Sequence, residues 1–347
     1  MRSLTDRMPL RKMRKSAADA TLVIVNPNSC SGLTGKNWDS LYASIKQILG
    51  EDLKVVLSKG PGDGTVIAKK YLKRGFKSIV AIGGDGTLNE VANGFFEESA
   101  GPVGRRLRPL DGVASLKAIN PDAVMAVVPC GTRNVLAKSL GLPEGVVECC
   151  STFSSGAPKK VDVIAATVTN ADYSTSSKRI FLNAAEIGLG AEIIDRSKKV
   201  RKAVNSRLLS TVAGIIATVP TYQSNECEIL LGAGRGRKKI VTNMTMAMVS
   251  NGKFLGGGFK AAPKADMADG LLDVVVLKDS GSLKVLDELV NMKEGDYGEE
   301  DKIFYYQVRR VTIRSKERDV TVTVDGEPIG ILPATFEVLP SALTIKM

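Results

Sequence analysis

Residues 79–94, Ile-Val-Ala-Ile-Gly-Gly-Asp-Gly-Thr-Leu-Asn-Glu-Val-Ala-Asn-Gly, hold the densest chemical signal in the chain. The short apolar run from Ser78 to Ile82 reads as a buried parallel strand. It stops at Gly83-Gly84-Asp85-Gly86-Thr87, after which Leu88, Val91 and Phe95 fall at helical spacing. A strand that breaks through glycines into a helix N-terminus makes an anion site. The backbone can approach closely, several N–H groups converge, and the helix dipole favours negative charge. Asp85 inside such a site would repel a bare phosphate, and becomes useful when a divalent cation sits between the two. Nucleotide phosphates with Mg²⁺ are the ligands this pattern implies. The plainer alternative is a glycine turn with Asp85 capping the next helix. Five specific residues between strand and helix, followed by Asn89-Glu90, favour the phosphate site.

Three further turns carry small polar groups. Asn26-Pro27-Asn28-Ser29-Cys30-Ser31-Gly32 ends a first apolar strand and offers amides and hydroxyls that bond phosphate or ribose without bulk; an ordinary turn has the same look. Ser58 follows a second strand, as a ligand contact or simply a polar strand end. Pro129-Cys130-Gly131-Thr132-Arg133-Asn134 closes another strand and again leads into a helix. The chain has no histidine, which excludes histidine triads, histidine metal sites and histidine general bases together. Proton transfer falls to carboxylates, Lys, Tyr or Cys. Five cysteines show neither metal-ligand spacing nor the even number of a disulfide framework, which suits a reducing compartment.

The elements that must hold these turns alternate. Strands are expected at 22–25, 53–57, 78–82 and 123–128, with helices at 38–49, 64–73, 87–96 and 133–140. Such alternation makes βαβ units and a parallel sheet covered on both faces, with ligands beyond the carboxyl ends of the strands. Residues 97–120, rich in Gly, Pro, Arg and Ser, interrupt the pattern as a long inserted loop. Beyond residue 160, strands at short spacing are expected (161–168, 179–185, 226–231, 240–250, 271–277, 303–314 and 320–324), which points to an antiparallel β-sandwich. One long helix near 191–219 is expected inside it, from Val200, Val204, Leu208, Val212 and Ile216. The division that follows is a basic flexible tail at 1–20, a nucleotide-binding α/β domain at 21–150, and a β-rich domain at 155–347 whose last strands have the option of returning to the first.

A chain of 347 residues has ample length for two cores, and 44% hydrophobic with 24% charged residues is ordinary for a globular protein. No apolar run approaches the ~20 residues needed to span a bilayer, and the N-terminus lacks the apolar core of a secretory signal. A cytoplasmic location is expected. The net charge of +11 is clustered: Arg2 to Lys15, then Arg196 to Arg207, then Arg235 to Lys239. Solvated surface accounts for the first cluster alone, whereas three together suggest an anionic partner, lipid surface or nucleic acid. Only 5% of residues are aromatic, which leaves little stacking surface for single strands, so no nucleic acid is expected.

Gly-Gly-Asp-Gly-Thr-x-Asn-Glu-Val-x-Asn-Gly resembles the nucleotide loop of the diacylglycerol kinase and sphingosine kinase superfamily of lipid kinases; a shorter form occurs in NAD kinases and phosphofructokinases. The turn at 26–32 resembles the Asn-Pro-x-Ser-Gly opening of that fold, with Cys30 where glycine is commoner. Gly131-Thr132-Arg133-Asn134 resembles its Gly-Thr-x-Asn segment. There Arg133 takes a position usually small, and Val135 stands where bacterial diacylglycerol kinases commonly carry Asp, a form nearer the sphingosine and ceramide kinases. In the second half, Asn251 to Lys260, then Ala262-Pro263, then Asp269 to Val274 are similar to the superfamily's second-domain motif. The resemblance spans roughly residues 21–347.

It implies a phosphofructokinase- or NAD kinase-like α/β domain and ATP-dependent, Mg²⁺-dependent transfer of a phosphoryl group to a lipid hydroxyl, diacylglycerol- or sphingoid-like. The residues it implies for the nucleotide are Asn26, Ser58, Gly83, Gly84, Asp85, Gly86, Thr87, Asn89, Glu90, Thr132 and Asn134. For metal they are Asp85, and a second-domain site at Asp269 with main-chain oxygens of Asp266 and Leu271, level with a plain Asp-Gly turn. Asp325, in Val324-Asp325-Gly326-Glu327-Pro328, matches the catalytic base. Peripheral association with an anionic membrane follows, and a homodimer is left open. The rivals are a soluble-substrate kinase of the NAD kinase type and a non-catalytic basic binding protein on a kinase fold.

Overall fold

A computed structural model describes residues 20–98, 116–173, 176–201, 207–256, 259–279, 281–295 and 302–347. The basic tail at 1–19, the centre of the inserted loop, residues 202–206 and Gly257-Gly258 lie outside the described residues. The chain has two parts, an N-terminal α/β domain and a C-terminal β-rich domain.

In the first, strands Thr21–Val25, Leu53–Leu57, Ser78–Gly83 and Val124–Pro129 pair in parallel, with Thr21–Val25 between Leu53–Leu57 and Ser78–Gly83. Their side chains alternate between two apolar layers. Leu22, Ile24, Ile79, Ala81, Met125 and Val127 face one way, onto Leu72, Leu88, Val91 and Leu136 of the crossover helices. Val23, Val25, Val80, Ile82, Ala126 and Val128 face the other, onto Ile45 of the helix Trp38–Leu49 and onto Cys149, Cys150 and Phe153. Burial on both faces is why Thr21–Val25, Ser78–Gly83 and Val124–Pro129 read as nearly continuous apolar runs, whereas the edge strand Leu53–Leu57 carries Lys54. All four end on the same edge, at Val25, Leu57, Gly83 and Pro129, which brings the polar turns together.

Several boundaries differ from expectation. The helix Val146–Ser155 was not expected, and the boundary drawn at 150 cuts it in two. Because Cys149, Cys150 and Phe153 are buried against the first sheet, the helix belongs to the first domain. The ends of the inserted loop, Phe96–Glu98 and Leu116–Ala118, pair as a short antiparallel ribbon. The single helix at 191–219 is two helices, Leu189–Arg201 and Arg207–Thr218. Five residues spaced by four drift about 160° around a straight α-helix of 3.6 residues per turn, so they never formed one face. The two helices cross closely: a Cβ on Gly214 would lie 2.2 Å from Ser197 Oγ.

In the second part the strands pair antiparallel around a shared core that includes Ile164, Phe181, Ile187, Ile229, Val274 and Phe336. Two expected strands are each split in two, into Ser176–Phe181 and Ala184–Gly188 and into Ile303–Val308 and Arg310–Ser315. A helix at Ser282–Glu294 and the long strand Glu327–Lys346 had not been expected. The end of that strand pairs in parallel with the first domain, Thr344 with Val124 and Ile345 with Met125, so one fourteen-stranded sheet runs through both parts.

Candidate active site

The first wall of the site is four strand-end turns fused to one another. Gly83 is required by space: a Cβ there would lie 2.6 Å from the Cβ of Thr87. The turn at 129–134 meets the glycine loop backbone to backbone, since a Cβ on Gly131 would lie 2.7 Å from Gly84 Cα. Asn134 is held at φ 49° with its Oδ1 accepting from Gly131 N at 2.8 Å. Asn26 Nδ2 donates to Thr87 Oγ1 at 2.9 Å, tying the first turn to the loop, and Asn26 Oδ1 accepts from Asn28 N at 2.9 Å. Cys30 has φ 52°, a left-handed conformation that glycine takes without steric cost, which is the physical reason glycine suits that position.

Asp85 opens the helix Asp85–Asn93, and its Oδ1 accepts from Leu136 N at 3.1 Å, at the start of the helix Val135–Leu140. Glu90 also lines the cleft, and its carboxylate is engaged by backbone: Oε1 accepts from Gly62 N at 2.7 Å and Oε2 from Gly64 N at 3.1 Å. Its carboxylate caps the start of the helix Asp63–Leu72, which accounts for its conspicuous place in the motif. Ser58, buried, and Thr132, exposed, both face the cleft, as do Gly84, Asp85, Gly86 and Thr87. Gly83 and Asn134 stand behind that surface and shape it.

The second wall comes from the β-rich domain. Asp325 sits at φ 45° between the strands Thr321–Val324 and Glu327–Lys346. Its Oδ1 accepts from Asn183 N at 3.0 Å and Ala184 N at 3.1 Å; its Oδ2 accepts from Leu182 N at 3.1 Å and Asn89 Nδ2 at 2.7 Å. Burial pushes the carboxyl upward from its ordinary value, and these four donors work against that shift. Asn89, expected at the nucleotide, instead spans the cleft floor to Asp325. Asn183 joins the walls a second time, accepting from Ser139 Oγ at 2.8 Å and donating to the carbonyl of Phe254 at 2.7 Å. Asn251, the first residue of the second-domain motif, is fully buried and donates to the carbonyls of Asp162 and Leu182.

Sequence reasoning missed Glu186. It lies on the strand Ala184–Gly188, 7% exposed, and Thr323 Oγ1 donates to its Oε2 at 2.9 Å. Burial pushes its carboxyl up to about 7, against the Thr323 bond and the positive charge of Arg133. The only sequence signal is one acid inside an otherwise apolar and small run, 180–188. Gly60 and Gly62 also line the cleft, and their strand–glycine–helix pattern repeats that of 83–87 on a smaller scale.

Between the walls lies a cleft of about 740 Å³, a size that suits a nucleotide. Among the described residues no three Cys, Asp or Glu side chains converge as a cation cage. Asp85 therefore offers a lone carboxylate beside the loop, with apolar Val135 nearby. That fits Mg²⁺, which keeps several waters and takes its remaining ligands from one or two carboxylates and substrate phosphates. Asp266 and Asp269 are outside the cleft. Asp266 Oδ1 accepts from Ala268 N at 3.0 Å and Asp269 Oδ1 from Leu271 N at 2.8 Å, so both close their own turn.

Residues 20–166 match the diacylglycerol kinase catalytic domain, and residues 183–347 match the YegS C-terminal NAD kinase beta sandwich-like domain. The chain is 26% identical over 315 residues to a diacylglycerol kinase of Bacillus subtilis, covering 90% of this chain and 91% of that one. It is 24% identical over 330 residues to the lipid kinase YegS of Escherichia coli, covering 92% and 96%. Among solved structures it is similar to a candidate diacylglycerol kinase of Bacillus anthracis, with a TM-score of 0.70, 25% identity, and coverage of 96% and 98%. Yeast NADH kinase shares the fold at a TM-score of 0.50 and 11% identity, over 94% of this chain and 82% of that one.

Proposed function

The chain belongs to the diacylglycerol kinase family of lipid kinases through both of its domains, and from that premise we propose that it transfers the γ-phosphoryl group of ATP to a hydroxyl of a membrane lipid, diacylglycerol- or sphingoid-like. The observation that carries the reading is the cleft itself. One wall is made of glycine turns rich in N–H donors, and the other presents a half-buried carboxylate, Asp325.

The turns at 26–32, 58–63, 83–87 and 129–134 hold the nucleotide, with Gly84, Gly86 and Thr87 at its phosphates. Asp85 would hold Mg²⁺, which supplies charge neutralisation on the phosphates. Asp325 takes the hydroxyl proton as the new P–O bond forms and the bond to the ADP oxygen breaks. Four donors already fill the main acceptor directions of its carboxylate. The acceptor hydroxyl must therefore displace one, and Asn89 Nδ2 is the only one of the four on a rotatable side chain. Reaching a membrane-resident hydroxyl requires peripheral docking. We assign that surface to the helices Leu189–Arg201 and Arg207–Thr218, the first of which lines the cleft through Ile194, Ser197 and Lys198.

The test is incubation with γ-labelled ATP and, in parallel, a total lipid extract, NAD, or no acceptor. Label in the lipid fraction alone is expected. Label on NAD would favour a soluble-substrate kinase, and no transfer in any arm would favour a non-catalytic binding protein.

A further inference from the structure

The nucleotide cleft meets a second cavity of about 80 Å³, walled by Ile193, Ile215, Met246, Met248, Leu255 and Phe259. Five residues border both spaces and form a neck: Arg133, Glu186, Ile194, Ser197 and Gly256. An acceptor with alkyl carbons in the apolar cavity must present its hydroxyl at this neck, and the phosphoryl group must reach it from the glycine loops. Arg133 is the only cation among the five. It stands on the turn 129–134, whose Gly131 packs directly on Gly84 of the glycine loop. Its guanidinium lies over Gly256: a Cβ there would come within 2.6 Å of Nη1, so a side chain at position 256 would oblige the guanidinium to shift.

Arg133 is half-buried, and among the described residues it makes no ion pair within 4 Å and no hydrogen bond, the carboxyl of Glu186 feeling its charge only at longer range. A guanidinium stays charged and presents five donors suited to planar or tetrahedral oxyanions. Ser197 Oγ, on the same neck, is buried with no hydrogen-bond partner among the described residues. Among the described residues the cleft thus holds a cation and a hydroxyl without direct hydrogen-bonding partners where the moving group must pass.

We propose that Arg133 is a further catalytic residue, whose guanidinium binds the terminal phosphoryl group of the nucleotide at the neck and neutralises its charge during transfer. The assignment rests on the phosphotransferase reading above. The bond from the γ-phosphorus to the β–γ bridging oxygen breaks, the bond to the acceptor oxygen forms, the hydroxyl proton goes to a cleft carboxylate, and Arg133 keeps its charge throughout. The same guanidinium chemistry would also suit a phosphate in a neighbouring lipid headgroup, so the test separates the two.

The full-length protein, Arg133→Ala, Arg133→Lys and Gly256→Ala are titrated with ATP and with ADP by calorimetry, and co-sedimented with phosphatidic acid vesicles. Loss of at least tenfold in ATP affinity is expected for Arg133→Ala, with ADP affinity within twofold of wild type. Arg133→Lys should recover part of the loss, and Gly256→Ala, which keeps the charge and obliges the guanidinium to shift, should lose less than Arg133→Ala. Turnover should fall roughly 10²–10³-fold, the scale of losing one transition-state donor, and vesicle binding should be the same for all. ATP affinity unchanged in Arg133→Ala, or ATP and ADP weakened equally, overturns the proposal. So does loss of vesicle binding with ATP affinity intact, which would give the cation to a lipid headgroup. Arg133-dependent ATP binding in a wild type that phosphorylates no lipid would overturn the acceptor reading and leave the Arg133 assignment standing.

Discussion

The two walls of the cleft are built by opposite means. The first is backbone: Gly83 and Gly131 are packed so closely that a methyl group has no room, Asn26 and Glu90 use their side chains to tie neighbouring turns to the loop and its helix, and Asn134 closes its own turn. The second is side chain: Glu186 projects from a β-strand and Asp325 from the turn between two strands, and their charge is governed by burial and by the donors around them. A wall of N–H groups recognises phosphates whatever they are attached to. A wall of positioned carboxylates acts on the acceptor. Binding and turnover should therefore separate when one wall or the other is altered.

The sharpest break of the first wall is Asp85→Ala, which should bring Mg²⁺-dependent turnover below detection, because the phosphates lose the one carboxylate in their own loop. Since Asp85 also accepts from Leu136 N, Asp85→Asn is the control that keeps an acceptor oxygen and removes the charge. Titrating Mg²⁺ at fixed ATP reads both variants. Metal dependence and rate like wild type in both would leave the loop a purely structural feature.

Glu186→Gln tests the second wall through stability. The carboxyl titrates near 7 in the folded protein against an ordinary value of 4.5, so folding favours the protonated form. Wild type keeps that advantage below about pH 4.5 and loses it as pH rises through 7. Gln cannot ionise, so the variant should be more stable at pH 8 by on the order of 1–3 kcal/mol, with the gap closing toward pH 4.5. Arg133, Asp325 and the Thr323 hydroxyl surround the group and remain in place in both proteins. Denaturant melts at pH 5 and pH 8 decide it; an equal stability difference at both would mean Glu186 is not held as the structure indicates.

The smallest effect concerns the docking helices. Lys198 pairs with Glu327 at 2.9 Å and Lys199 with Asp195 at 2.6 Å, both at the surface, and Arg196 Nη1 donates to the carbonyl of Ala217. Exposed pairs of this kind are weak, about 0–1 kcal/mol, so the lysines remain partly available to an anionic surface. Replacing Lys198 and Lys199 by Ala should lower binding to phosphatidylglycerol vesicles by roughly two- to fivefold at low salt, less than two free cations would give. No change would remove these helices from the docking surface.

The same contrast explains what the sequence made legible. Glycine turns between apolar strands and helices are local objects, and the boundaries of Trp38–Leu49 and Leu53–Leu57 follow directly from their patterning. The second wall is assembled across distance: Asn89 and Asp325 are 236 residues apart, and nothing near either residue announces the bond. The strand Glu327–Lys346 stayed hidden because Pro328, Pro333 and Pro340 break its alternation. Two of these prolines, Pro333 and Pro340, fall where its pairing with Pro158–Thr169 slips register, between Ile331 and Ala334 and between Leu339 and Leu343. Glu186 was invisible because a lone acid on a strand reads as a solvent-facing residue until the fold covers it.

Asp325→Asn tests the division of labour most directly, with ATP affinity and turnover measured on the same preparation. Asparagine keeps the shape but neither accepts the proton nor carries the charge, so turnover should fall roughly 10²–10⁴-fold, the contribution of a positioned base, while ATP affinity stays within twofold of wild type. Turnover within a fewfold of wild type, or ATP affinity falling in step with turnover, would contradict a cleft in which one wall binds and the other reacts.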